Sequence, residues 1–181
     1  MKILSIFLLL FSFLIAGENV KKELSFEITD IQGNSYHIVN TDEGLDIKEL
    51  RGKVVFLAFF GHRCPPCRME MPGFTKYTKD KEYAKKAVIL AFEVQGLDES
   101  GLKSFIKNQG LDYRIVAGSK YSKFIDLVGY RTKWNWGIPF MVVLDTKGKV
   151  VNFGNGIVSE EELKNLADTI YEDKKDSNTT K

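Results

Sequence analysis

Cys64 and Cys67 are the two cysteines of this 181-residue chain. They bracket a proline pair in Cys64-Pro65-Pro66-Cys67, directly after the apolar run Lys-Val-Val-Phe-Leu-Ala-Phe-Phe at 53–60. Two thiols at this spacing, where a strand turns into a helix, can close a disulfide that is easily reversed, which is redox chemistry. The rival chemistry is half of a zinc site, but a structural zinc takes four ligands. The chain has no second cysteine pair to complete one, and its two histidines are His37 and His62. No metal is expected, and the disulfide itself is the redox group with no further cofactor.

The attacking sulfur is expected to be Cys64, at the N-terminus of a helix that begins at Pro65. Unpaired backbone N–H groups and the positive end of the helix dipole stabilise a thiolate there. Pro65 suits the first helical position, whereas Pro66 takes away another donor and leaves fewer amides for the anion. His62 and Arg63 could add positive charge beside the sulfur, or form an ordinary solvated turn. Cys67, one turn deeper, is expected to be the resolving thiol that breaks the mixed disulfide.

Such a resolving thiol needs a proton acceptor. Glu70 lies three residues beyond Cys67, on the same helical face. Shielded from water it would carry a raised pKa and could take the proton, directly or through a water. Exposed, it would pair with Arg68 or Lys76. Spacing leaves both open.

The elements that must position these groups follow from pattern. Residues 23–30 alternate apolar and polar, Gly33-Asn34 turns the chain, and 36–39 returns, which reads as a β-hairpin. A short turn of helix is expected at 46–50. The runs 53–60, 87–94 and 140–144 are apolar on both faces, as in the middle of a covered, largely parallel sheet. Helical patterns occupy 65–79, with a kink expected at Pro72, then 99–108, ended by Gly110, and 121–128. A further strand is expected at 112–116. Residues 146–149 turn the chain into an antiparallel strand at 150–153, and Ser159 with Glu162 forms a capping box for a last helix.

Composition adds boundaries. With 44% hydrophobic residues the chain can bury one core. Its 26 basic and 24 acidic residues, net +2, are spread along it and give no reason to expect nucleic acid. Lys2 followed by the apolar stretch 3–16 reads as a secretory signal, too short to span a membrane, with small residues Ala16 and Gly17 before Glu18. Leu14 at the −3 position keeps an uncleaved N-terminal anchor open. The expected division is a signal or anchor at 1–17, one domain at 18–171 and a polar, disordered tail at 172–181. Export places the chain in a periplasmic or other extracytoplasmic, oxidising compartment, where a dithiol needs an electron donor to stay reduced.

The order strand, Cys-x-x-Cys, helix, closed by a ββα unit, resembles the thioredoxin fold: α/β, a central mixed sheet flanked by helices. Gly137-Ile138-Pro139 strengthens the match, since an Ile-Pro or Thr-Pro peptide before the third central strand is cis in that superfamily and faces the disulfide. The resemblance implies that Pro139 is this proline and that Ile138 offers a backbone edge on which a substrate segment can pair.

Within the superfamily, 24–171 resembles the exported TlpA/ResA/DsbE thiol-disulfide oxidoreductases. The likeness is carried by the leading hairpin, Leu50-Arg51-Gly52-Lys53, the stretch Cys64-Pro65-Pro66-Cys67-Arg68-Met69-Glu70-Met71-Pro72, and a long insertion before Pro139. It implies a glutamate at Glu70 close to the cysteines and influencing their titration. Ala58 stands where cytoplasmic thioredoxins carry a buried acid, as it generally does in this group.

Two departures stand out. Arg63 occupies the place of the group's usual tryptophan before the first cysteine, and a cation there pushes the couple toward stronger oxidant. The segment Arg131-Thr132-Lys133-Trp134-Asn135-Trp136 is unusually aromatic and basic. Trp134 and Trp136 could line a partner groove with Arg63 and Ile138, or Trp136 could pack in the core.

The resemblance implies a monomeric enzyme that reduces disulfides in exported proteins such as apocytochrome c, with a membrane electron-transfer protein as donor. The alternative is a thiol oxidase or general disulfide exchanger, favoured by Arg63. A copper-binding chaperone would need a third ligand, for which neither His62 nor His37 is well placed.

Overall fold

The computed structural model describes residues 24–179, so the expected signal at 1–17 lies outside the described residues. Strands β1 (Ser25–Thr29), β2 (Ser35–Asn40) and β3 (Leu45–Ile47) form an antiparallel sheet in the order β1-β2-β3. The central sheet holds β4 (Val54–Phe60), β5 (Ala87–Glu93), β6 (Arg114–Ala117), β7 (Phe140–Leu144) and β8 (Val150–Asn155) in the order β6-β5-β4-β7-β8. β4 runs parallel to β5 and antiparallel to β7, and β8 is the outer antiparallel strand. The helices are α1 (Pro65–Lys79), α2 (Tyr83–Lys86), α3 (Glu99–Gln109), α4 (Ser122–Thr132) and α5 (Glu160–Thr179). This is the mixed-sheet, thioredoxin-like architecture.

β4 shows why continuous apolar runs make central strands. All seven of its residues are buried, and successive side chains point to opposite faces. Val54, Phe56, Ala58 and Phe60 enter one core with both cysteines, Met71 and Phe74 of α1 and Leu163 of α5. Val55, Leu57 and Phe59 enter the other with Ile28, Ile38 and Leu45 of the small sheet and Phe124 of α4. The strand that delivers the cysteines is thus clamped from both sides. Truncating one of its phenylalanines to alanine would cost about 3–5 kcal/mol.

Local signals set the ends of the elements. Asp98 accepts from the backbone N–H of Gly101 and caps α3, which stops at Gly110 with a left-handed φ of 64°. Ser159 and Glu162 exchange the two bonds of a capping box at α5, at 2.7 and 3.2 Å. Three expectations change. The hairpin gains β3, whose alternating buried Leu45 and Ile47 make a run too short to register as a period. The four-residue α2 was likewise too brief to read. The backbone of α5 stays helical to Thr179, through most of the tail whose polarity predicts disorder, because extending a formed helix adds a hydrogen bond per residue without a new nucleus. Pro72 lies inside a continuous α1. No described helix is long and apolar enough to cross a membrane.

Candidate active site

The two sulfurs are joined, at an S–S distance of 2.09 Å with the Cα atoms 5.3 Å apart. Cys64 is the N-cap residue of α1, and its Sγ accepts the backbone N–H of Cys67 at 3.2 Å. Pro65 and Pro66 occupy the first two helical positions without an N–H, so the amide of Cys67 is the first in the helix that can reach the sulfur. Cys64 keeps 5% of its surface exposed and Cys67 none. An outer sulfur on a helix N-terminus, backed by a buried one, can meet a partner with the first and withhold the second.

The Ile138–Pro139 peptide is cis. The carbonyl oxygen of Ile138 lies 3.8 Å from Cys64 Sγ, across 74 residues of chain. Trp134 and Trp136, in the segment leading to it, separate into different environments. Trp134 is 6% exposed, stacks on Phe140 and donates its indole N–H to the carbonyl of Gly137 at 2.7 Å. Trp136 leans on Trp134 with ring centres 4.9 Å apart, sits at a left-handed φ of 66° and is 55% exposed. The core position therefore goes to Trp134, and Trp136 stands on the surface beside the Ile138–Pro139 turn. Arg63 is exposed next to Cys64.

Glu70 is buried, 4% exposed. Neither Arg68 nor Lys76 pairs with it: the Arg68 guanidinium donates to the carbonyl of His62 at 2.6 and 3.2 Å. The Glu70 carboxyl accepts the backbone N–H of Val158 at 3.3 Å. Burial raises its pKa to about 8, against the opposing pull of that one hydrogen bond. The alternative left open by spacing is decided by α5, whose leading segment covers this face of α1.

The sequence reading passes over Glu93, at the end of β5 and wholly buried. Its Oε1 accepts from His62 Nδ1 at 2.9 Å, and further backbone N–H groups meet both oxygens. The available signal was a lone charge inside an otherwise apolar strand run. His37 lies on the small sheet against Glu27. His37 is thus on a different element from the cysteines at the start of α1, and the ring of His62, in the turn before Cys64, is bonded to Glu93; the described residues contain no group of three His, Cys, Asp or Glu side chains able to hold a metal.

Comparison with known proteins agrees with this geometry. The AhpC/TSA family matches residues 25–153. The thiol-disulfide oxidoreductase ResA of Bacillus thuringiensis is 33% identical over 144 residues, which cover 79% of this chain and 73% of the relative. ResA of Halalkalibacterium halodurans is 28% identical over 155 residues, covering 86% and 77%. A solved thiol:disulfide interchange protein of the thioredoxin family from Chlorobium tepidum superposes with a TM-score of 0.63 at 23% identity, over 81% of this chain and 93% of that one. A redox-active cysteine pair on a thioredoxin-like frame, with relatives named for that reaction, makes the chain a thiol-disulfide oxidoreductase. It belongs to the AhpC/TSA family and is one of its ResA-like members.

Proposed function

We propose that the chain reduces disulfides in exported proteins, apocytochrome c among them, and is itself re-reduced by a membrane electron-transfer protein. The Cys64 thiolate attacks one sulfur of the partner's disulfide, forming a mixed disulfide and releasing the partner's other sulfur as thiolate. Cys67, having given up its proton, attacks Cys64 Sγ. The mixed disulfide breaks, Cys64 and Cys67 close, and the partner leaves with two electrons. Glu70 is the acceptor for the Cys67 proton.

The observation that carries the exchange chemistry is the Cys64–Cys67 disulfide at the start of α1, with Glu70 buried on the same helix three residues beyond Cys67. Burial raises the Glu70 pKa to about 8, into the range where a carboxyl can take and return a proton near neutral pH. Export is supported by the apolar N-terminal stretch and places the work outside the cytoplasm. The domain acts as a monomer, with Arg63, Ile138 and Trp136 meeting the partner.

The test is the reduction potential of the Cys64/Cys67 couple, by equilibration with dithiothreitol or glutathione. A value near or below about −270 mV supports a dedicated reductant; one nearer about −120 mV makes the chain a thiol oxidase. Exposed Arg63 favours that second reading, because a cation beside Cys64 stabilises the thiolate and so the reduced form.

A further inference from the structure

The chemistry of Cys64 depends on how the turn before it is held, and that turn is fastened from outside. Glu93 is 0% exposed. Its Oε1 accepts from the backbone N–H of His62 at 3.3 Å, from His62 Nδ1 at 2.9 Å and from the backbone N–H of Gln95 at 3.0 Å. Its Oε2 accepts from the N–H groups of Gly96 and Leu97 at 3.0 and 2.9 Å. A carboxylate only accepts, so this partner assigns the His62 ring proton to Nδ1.

Gln95, placed by the same carboxylate, accepts the backbone N–H of Arg63 through its Oε1 at 2.8 Å. Gly61 lies so close beneath that a Cβ there would stand 2.2 Å from Gln95 Cδ. The stretch 61–63 is therefore seated on the 93–97 loop, and the buried Glu93 anchors both sides of the seat.

The sulfur needs such a seat because its own support is thin. Two prolines withhold their amides, and Cys67 N–H, at 3.2 Å from Cys64 Sγ, is the helix amide that reaches it. A small rotation of the preceding turn would move the sulfur off that donor and change its approach to Ile138.

We propose that Glu93 is a positioning residue for thiol–disulfide exchange, which through its contacts with His62 and the Gln95 loop holds Cys64 over the Cys67 amide. It touches neither sulfur and acts through the turn. The loss of one hydrogen bond to the thiolate then sets the scale of the effect, about tenfold in reactivity.

The experiment follows iodoacetamide alkylation of Cys64 in the reduced full-length chain at pH 7 by mass spectrometry, alongside the melting temperature. E93Q is expected to slow alkylation about tenfold, H62A to slow it by no more than that, and the double variant to be no slower than E93Q, since H62A removes one of the contacts that E93Q disrupts. H62N, whose side-chain amide can donate from near the Nδ1 position, is expected to recover most of the rate. Wild-type alkylation by folded E93Q overturns the proposal, even with a lowered melting temperature, because Glu93 would then serve stability alone. Losses that add in the double variant overturn it as well. H62N as slow as H62A also does so, by moving the effect from the contact to the imidazole. Should E93Q fail to fold, the His62 pair decides by itself: a wild-type rate in H62A overturns the proposal, and loss in H62A with recovery in H62N sustains it.

Discussion

The backbone N–H of Val158 donates to Glu70 Oε2 at 3.3 Å, tying a carboxyl on α1 to the segment that leads into α5. This contact closes the site from behind. The helix capped by Cys64 is expected to present that end to a partner, while the face beyond Cys67 is covered by a part of the chain that arrives 88 residues later.

That burial makes stability depend on pH. The native carboxyl binds its proton more tightly than the unfolded one, so stability is complete below the ordinary value of 4.5 and is lost as pH rises toward about 8. Replacing Glu70 by Gln removes the dependence. The oxidised wild type is expected to lose on the order of 3–5 kcal/mol relative to E70Q between pH 5 and pH 9. Urea unfolding of both proteins at the two pH values measures it, and an unchanged difference would refute the assignment.

The same substitution separates the two chemical steps. Gln cannot take a proton, so E70Q should attack a disulfide through Cys64 at close to the wild-type rate while Cys67 resolves the mixed disulfide about 10²-fold more slowly. Quenched-flow trapping should show the mixed disulfide accumulating. Equal resolution rates in wild type and E70Q would remove Glu70 from the proton path.

Arg63 is expected to set the poise of the couple. Changing it to Ala removes a cation next to Cys64, destabilises the thiolate and makes the pair more reducing, by about 30 mV for each tenfold change in the exchange constant. Glutathione equilibration reads the shift. A move in the oxidising direction would contradict a charge effect of Arg63 on the sulfur.

Exposed Trp136 is expected to serve partners rather than the fold. W136A should change stability by less than about 1 kcal/mol and leave exchange with a small disulfide intact, while KM for a protein disulfide rises several-fold. Gly129 offers an independent route to the same result, because a Cβ there would meet the Trp136 ring at 2.9 Å. G129A should therefore displace the indole and raise KM likewise. An unaltered KM in both variants would take Trp136 out of the partner surface.

Much of this protein was legible in one dimension, where the physics is local. The doubly apolar run at 53–60, the proline pair between two cysteines, the Ser159–Glu162 capping box and Gly110 each act over a few residues, so sequence alone determined the central strands, the helix starts and the redox pair. The tertiary structure decided what depends on contacts between distant segments. It placed Glu70 under Val158 rather than beside Arg68, put Trp134 in the core with Trp136 left outside, and joined His62 to a buried acid 31 residues away. Spacing along a helix says which face a side chain occupies. What covers that face comes from elsewhere in the chain, and it is this cover that sets the charge state of a carboxyl and the seat of a sulfur.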